Sequence, residues 1–268
     1  MGLSTVTSQA SPGDPAGAGQ AAWRSMSWAV IAAFGTYFCM YAFRKPFAVA
    51  QYSDLLAWEW QFKTVAVSAQ VMGYMLSKFI GIRVLSSMPP RRRAASLIGL
   101  ILAAELALIL FGLVPTPYNI FCLFLNGLPL GMVFGLVLSF LEGRRQTEAL
   151  AAGLCTSFIL ADGMTKSVGK ALLEAGVSQF WMPAAVGAIF LAPLLGFVWM
   201  LQQVQHPDEA DVAARSVRPP LSADDRRAFV RRYAGGLIPL LLMFLLVTVT
   251  RSIRSDFAPE IWTSLGVT

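Results

Sequence analysis

Two arginines in strongly apolar segments, far apart along the chain, are the residues best suited to bind an anion. Arg44 closes the first apolar segment, in Tyr-Ala-Phe-Arg-Lys-Pro-Phe, and Arg251 interrupts the last, in Val-Thr-Arg-Ser-Ile-Arg. A cation near the hydrocarbon core of a membrane is costly, so it persists mainly where it faces a polar cavity or a partner. Two such cations predict that an anion is held between them.

Each arginine also has an interpretation that involves no ligand. Arg44 lies about 21 residues beyond Trp23, or ~30 Å along a helix, where its side chain could snorkel to the membrane surface. Arg251 lies about 15 residues, or ~22 Å, beyond Gly236. Arg254 is one turn nearer the surface, so we expect Arg251 to face the site and Arg254 to lie at the interface.

Other ionisable residues interrupt the apolar segments. Asp162, Lys166 and Lys170 are spaced by four, which places them on one face of a helix. Either Asp162 and Lys166 form an ion pair that shields their charges from lipid, or Lys166 supplements an anion site. Glu105, midway along the third apolar segment, either pairs with a lysine or hydroxyl of a neighbouring helix or couples transport to protons.

The composition is that of an integral membrane protein. The 268 residues are 56% hydrophobic and 13% charged, whereas soluble domains carry roughly 25% charged residues. The mean hydropathy is +0.60. The net charge is +6, but the arginines cluster in short segments between apolar ones. That clustering indicates membrane topology and excludes a nucleic-acid partner.

No residue pattern predicts a cofactor, a metal site or an enzyme. Cys39, Cys122 and Cys155 lie in apolar segments without paired spacing, so they are expected to be small core residues. The single histidine, His206, lies in a polar loop. The chain also lacks a Gly-x-Ser-x-Gly elbow and a phosphate-binding loop motif, so catalysis has no support.

Seven apolar segments are long enough to cross a bilayer, which takes about 20 residues each. We predict that all seven are helices, because an open-ended span must satisfy its own backbone hydrogen bonds in lipid. Gly127, Gly131 and Gly135 are four residues apart, so they are expected to line one face of the fourth helix and permit close packing. The segments are 23–47, 62–85, 94–114, 118–141, 149–173, 180–201 and 236–254.

The basic loops orient the chain. Arginines follow the second, fourth and sixth segments, at 91–93, 144–145 and within 206–233, whereas the links at 115–117 and 174–179 contain no Lys or Arg. The positive-inside rule therefore places the N-terminus in the cytoplasm. The predicted organisation is a disordered cytoplasmic tail, a six-helix bundle, a basic cytoplasmic linker and the first helix of an incomplete second bundle, at 1–22, 23–204, 205–234 and 235–268 respectively.

Three stretches resemble the major facilitator superfamily, and within it the organophosphate:phosphate antiporter branch of glycerol-phosphate and hexose-phosphate transporters. Residues 41–48 resemble its aromatic-Arg-Lys-Asn-Phe segment, and 73–80 resemble its second helix. Arg251, Asp256 and Pro259 match the Arg-x₄-Asp-aromatic-x-Pro pattern of its seventh helix. The resemblance covers nearly the whole chain.

The resemblance implies an all-α polytopic fold, the six-helix N-terminal bundle plus a seventh helix, in a bacterial inner membrane. It also implies a secondary transporter that exchanges a phosphate ester or other small organic anion for phosphate by alternating access. In that branch the arginines of helices one and seven bind phosphate across the cavity, assisted by a second-helix lysine and by tyrosines. The matching positions here are Arg44, Arg251, Lys78, Tyr41 and Tyr74, with Tyr37 a weaker match; Lys78 could instead snorkel to the cytoplasmic side.

The chain departs from the branch at several points. Pro46 replaces an asparagine, residues 85–91 lack the acidic residue of the superfamily loop motif, and the fifth helix has Lys166 but no histidine. Helices eight to twelve have no counterpart, so we expect a truncated chain. The alternative is a natural half-size chain completed by a second polypeptide. For the function, the alternatives are a non-transporting membrane anion sensor and an inactive fragment.

Overall fold

The computed structural model describes residues 15–53, 55–86, 88–141, 147–204 and 223–266. A two-stranded antiparallel hairpin, β1 (Leu56–Ala57) and β2 (Trp60–Gln61), precedes the second helix. The remaining elements are helical. They are α1 (Pro15–Met40), 3-10 turns at Tyr41–Phe43 and Pro46–Val49, α2 (Phe62–Ser86), α3 (Pro90–Leu113), α4 (Ile120–Leu141), α5 (Thr147–Glu174), α6 (Met182–Gln202), α7 (Ala223–Asp256) and α8 (Ala258–Ser264).

Six helices in these ranges are long and apolar enough to cross a membrane: α1, α2, α3, α4, α6 and α7. This confirms an all-α polytopic membrane protein. The predicted segment 149–173 also forms a helix, α5, but it is not one of the six. The described part of α5 carries Asp162, Lys166 and Lys170 within its apolar sequence.

The first apolar segment differs from the predicted continuous helix over 23–47. Its α-helix ends at Met40 and gives way to two 3-10 turns. Pro46 explains the change, because its ring has no N–H and would clash with the carbonyl four residues earlier in an α-helix. Arg44 and Lys45 consequently lie in the break, and both donate their backbone N–H to Tyr41 O, at 3.0 and 2.9 Å.

The outer segments of the chain differ from the predicted divisions as well. Residues 15–22, predicted to belong to a disordered tail, begin α1, since proline is accommodated in a first helical turn and alanine favours helix. Residues 223–234, predicted to belong to the linker, begin α7, whose first turn carries Asp224 and Asp225, a favourable charge at a helix N-terminus. The remaining parts of both predictions, 1–14 and 205–222, lie outside the described residues, as do Arg144, Arg145 and His206.

The predicted glycine face of α4 is present and brings α4 against the backbone of α2. A Cβ on Gly127 would overlap Gln70 O, and a Cβ on Gly131 would lie 2.6 Å from Tyr74 O. Any larger residue would push the two helices apart. Close packing of these backbones therefore determines where Gln70 and Tyr74 stand relative to the rest of the bundle.

The helix packing has a partial internal symmetry. α1 packs on α5 and α6, just as α4 packs on α2 and α3. α1 also contacts α4, and α3 contacts α6. These contacts map onto one another when helices one, two and three are exchanged with helices four, five and six, as expected of two three-helix repeats. The α4–α5 and α5–α6 contacts lie outside this correspondence.

One end of the bundle is closed by an aromatic cluster of Tyr52, Phe62, Phe111 and Phe180. Neighbouring ring centroids in it are 5.3–6.4 Å apart. The Tyr52 hydroxyl donates a hydrogen bond to Gln179 O at 3.2 Å, and burial raises the pKa of Tyr52. The cluster joins the segment before the hairpin, the adjoining ends of α2 and α3, and the turn before α6 into one neutral region.

Candidate functional site

Arg44 presents a guanidinium group that has no ion-pair partner in the described part of the chain. Its side chain is half-buried, and its Cζ lies 4.1 Å from the centroid of the Tyr74 ring. Its Nε is buried and makes no hydrogen bond. A buried donor without a partner costs free energy, so this group is suited to receive an acceptor from outside the chain.

The backbone around Arg44 is held by two amide side chains. Gln70 Nε2 donates to Arg44 O at 3.2 Å and to Asn126 Oδ1 at 2.8 Å. Asn126 Nδ2 in turn donates to Phe43 O at 3.1 Å and to Ala104 O at 3.0 Å. This network connects α2, α3 and α4 to the helix break, and it keeps Arg44 in a defined place.

Lys78 joins Arg44 on the same aromatic ring. Its Nζ lies 4.8 Å from the centroid of Tyr74, while its side chain remains exposed. Cations over the face of a tyrosine are attracted by the ring quadrupole. Tyr74 thus contacts two of the predicted site cations, Arg44 from the helix break and Lys78 from its own helix α2.

Arg251, an exposed residue of α7, lies beside a second group of aromatic rings. Its Cζ lies 5.8 Å from the Phe158 ring. Phe158 stacks on Tyr41 with centroids 6.4 Å apart and planes 16° apart, and Tyr37 packs edge-on against both. Arg251 forms no ion pair with any residue that the structure describes. A side-chain hydrogen bond between Tyr37 and Tyr74 connects this group to the ring beneath Arg44, so that the predicted site tyrosines, Arg44 and Arg251 lie along one aromatic wall.

A charged network of α5, α7 and the helix break borders this wall. Lys45 Nζ lies 2.6 Å from Asp256 Oδ1 and 3.8 Å from Asp162 Oδ1. Lys166 lies 3.3 Å from Asp162, and it donates to Ser255 O at 2.6 Å and to Ser255 Oγ at 2.5 Å. Ser255 Oγ donates to Asp162 Oδ2 at 2.6 Å. Two lysines and two aspartates make the network neutral.

The family of the chain follows from its sequence. A model of DUF5690, described as a family of unknown function, matches residues 46–268. The chain belongs to the DUF5690 family. No curated protein and no solved structure matches it. The matched region of this DUF5690 protein contains Tyr74, Lys78, Lys166 and Arg251, and it begins two residues after Arg44.

In this DUF5690 protein Lys166 is engaged by its own chain. The Asp162–Lys166 pair expected from their spacing is present, and the three hydrogen bonds of the Lys166 ammonium group go to Asp162 and Ser255. Lys170, one turn further, instead approaches exposed Glu174 at 3.8 Å. The charge of Lys166 is thus already balanced by Asp162 and is not available to an anion in this arrangement.

Several site residues were not among the sequence candidates. Phe158 stands between Tyr41 and Arg251, and its position four residues before Asp162 on the same helix face is a signal that could have found it. Lys45 lies next to Arg44 in the sequence but binds Asp256. Lys63, 4% exposed, forms a 2.5 Å ion pair with Glu260 of α8, for which the sequence carries no signal.

The described residues contain no group of three or more His, Cys, Asp or Glu side chains that would hold a metal ion. The three cysteines are free, with Cys39 and Cys122 buried and Cys155 exposed. The side chains that meet at this site are cations, aromatic rings, amides and the carboxylates of Asp162 and Asp256.

Proposed function

We propose that this DUF5690 protein is a secondary transporter of the major facilitator type for a small organic anion, exchanging a phosphate ester for phosphate in a bacterial inner membrane. The observation that carries the proposal is the state of Arg44. Its guanidinium group lies on Tyr74, has a buried Nε without a hydrogen bond, and has no carboxylate partner among the described residues. An oxyanion from outside the chain would supply both the hydrogen-bond acceptor and the negative charge that Arg44 lacks.

The charge distribution favours a dianion. Lys45 and Lys166 are balanced by Asp162 and Asp256. Arg44, Arg251 and Lys78, in contrast, lie against aromatic rings. Two guanidinium groups bind phosphate oxygens bidentately and neutralise two negative charges. Lys78 adds a further cation at the edge of the site.

The fold supports transport. Most of its contacts between helices are related by exchange of the first and second sets of three helices, as in the two repeats of a major facilitator half. The resemblance of 41–48, 73–80 and the Arg251–Pro259 motif to the antiporter branch points the same way. Arg44 lies in a break between helical turns, and such interruptions are where transporters place their ion and substrate sites.

The proposed mechanism requires no covalent step. The anion binds between Arg44 and Arg251, and the bundle then rocks relative to α7, so that the site opens to the other side of the membrane. The lipid bilayer and the anion are the partners that this mechanism needs. The N-terminus lies in the cytoplasm in this scheme, because the basic loops then face inward.

The test is exchange of radiolabelled inorganic phosphate across proteoliposomes that contain the full chain. Arg44→Ala and Arg251→Ala are expected to abolish exchange, whereas Arg254→Ala, a matched arginine one turn away, is expected to retain it. Equal exchange in all three variants would contradict the assignment. Arginine-dependent phosphate binding without exchange would instead indicate an anion sensor.

A further inference from the structure

Glu105 is a buried carboxyl group at the contact between α3 and α6. The residue is 8% exposed, and its Oε2 has no hydrogen-bond partner. It packs against the backbone of Gly187, where an added Cβ would overlap Oε2 and lie 3.2 Å from the Phe43 ring. The missing side chain at Gly187 is therefore what makes room for the carboxyl group.

The elements packed against Glu105 offer it no counter-ion. α6 contains no Asp, Glu, Lys, Arg or His, and neither does α4, whose one titratable group is the Cys122 thiol. The basic residues of α3 itself, Arg91 to Arg93, are at least 12 residues away, or ~18 Å. The 3-10 turn that contacts α3 contributes Tyr41, and the guanidinium group of the following Arg44 lies on Tyr74.

An ionised carboxylate in this place would be a buried charge without a cation. Such a charge is strongly unfavourable, and a buried group that lacks a partner takes up its neutral form instead. Intramembrane carboxylates of this kind commonly belong to proton pathways. The neutral acid fits the packed α3–α6 contact, and the carboxylate fits a state in which water reaches this contact.

We propose that Glu105 is a proton-binding site: its carboxylate takes up one proton when α3 and α6 pack together, and the acid releases that proton when they separate. Nothing else is consumed or released in this step. The inference concerns the proton alone, and only its coupling to anion movement rests on the function proposed above.

The coupling has a physical path. The Phe43 ring and Glu105 Oε2 both border the position that a Cβ on Gly187 would take, and Phe43 immediately precedes Arg44. Asn126 holds Phe43 O and Ala104 O, the neighbours of Arg44 and Glu105 respectively. A change in the charge of Glu105 would shift the packing around Phe43, and Phe43 would pass the shift to the adjacent Arg44.

The first test is infrared spectroscopy of the full chain in lipid nanodiscs. The spectrum is expected to contain a carboxylic-acid carbonyl band that is lost in Glu105→Gln, shifted in Glu105→Asp, and unchanged in Glu174→Gln, which alters an exposed carboxylate. A band that is the same in wild type and Glu105→Gln overturns the proposal. The Asp variant keeps the test valid where the Gln variant fails to fold.

The second test measures phosphate uptake into proteoliposomes under an imposed proton gradient. We expect several-fold stimulation in wild type and in Glu174→Gln, and no stimulation in Glu105→Gln. If the infrared band is lost in Glu105→Gln but the wild-type protein transports no phosphate, the proton-binding site is supported and the transport proposal is refuted. Stimulation retained in Glu105→Gln would refute the coupling.

Discussion

The interior of this protein contains two kinds of cation that lie side by side. Lys45 and Lys166 share Asp162 and Asp256 at distances of 2.6–4.0 Å. Arg44, which directly precedes Lys45, lies on an aromatic ring and has no carboxylate partner within the described ranges. Adjacent residues of the same charge thus have opposite surroundings.

The difference separates charges that hold the fold together from charges that remain available to a ligand. The Lys45–Asp256 contact connects residues 211 positions apart and joins the helix break to the end of α7. It is satisfied within the chain, so a substrate has little to add there. Arg44 and Arg251 have no ion-pair partner among the described residues, and in the proposed function an anion supplies one. Substituting each kind of cation separately tests this distinction.

The largest effect is expected when the neutral network loses one of its anions. Asp256→Ala leaves the ammonium group of Lys45, whose side chain is 13% exposed, without its nearest carboxylate. Removing one partner of a buried pair costs about 3–5 kcal/mol of stability. Thermal unfolding in detergent should show a clear loss, and Lys45→Met with Asp256→Leu should recover most of it. An unchanged unfolding temperature in Asp256→Ala would mean that the network contributes little to the fold.

The next effect concerns anion affinity. Arg44→Ala should weaken phosphate binding by about 2–5 kcal/mol, the usual cost of removing one partner of a buried charged hydrogen bond. The unfolding temperature should remain close to that of wild type, because Arg44 has no ion pair to lose in the part of the chain that is described. Calorimetric titration with phosphate measures the affinity. A variant that loses stability but keeps affinity would reverse the comparison.

A smaller effect is expected from the aromatic ring beneath the arginine. Tyr74→Leu removes the face that Arg44 and Lys78 share and should weaken phosphate binding by about 0.5–2 kcal/mol, the range of a cation–π interaction. Tyr74→Phe, which keeps the ring, is the matched control. Equal affinities in the Leu and Phe variants would show that the ring does not position the cations.

The smallest effect is expected at an exposed ion pair on the same helix as Asp162. Lys170 and Glu174 are 72% and 68% exposed and 3.8 Å apart. Exposed pairs of this kind contribute about 0–1 kcal/mol, so Glu174→Ala should leave thermal unfolding nearly unchanged. A loss as large as that of Asp256→Ala would show that burial is not what distinguishes the two pairs.

Much of the architecture could be read from local sequence. The apolar segments and the four-residue spacing of Gly127 and Gly131 are local properties of the sequence. The structure has a helix at each of these segments. The break at Met40 was missed, although Pro46 is its cause, because hydropathy does not register a missing N–H. Phe158 and Lys63 were missed because each gains its role from a partner far along the chain.

Composition and spacing along a helix are enough to establish that this is a helical membrane protein and which cations lie inside its apolar segments. Which of those cations have a carboxylate partner depends on the tertiary structure. Lys45 meets Asp256 across 211 positions and Lys63 meets Glu260 across 197. Charge balance depends on distance in space, and folding alone sets that distance. The fold is therefore what distinguishes Arg44, which lacks a carboxylate partner among the described residues, from Lys45, which has one.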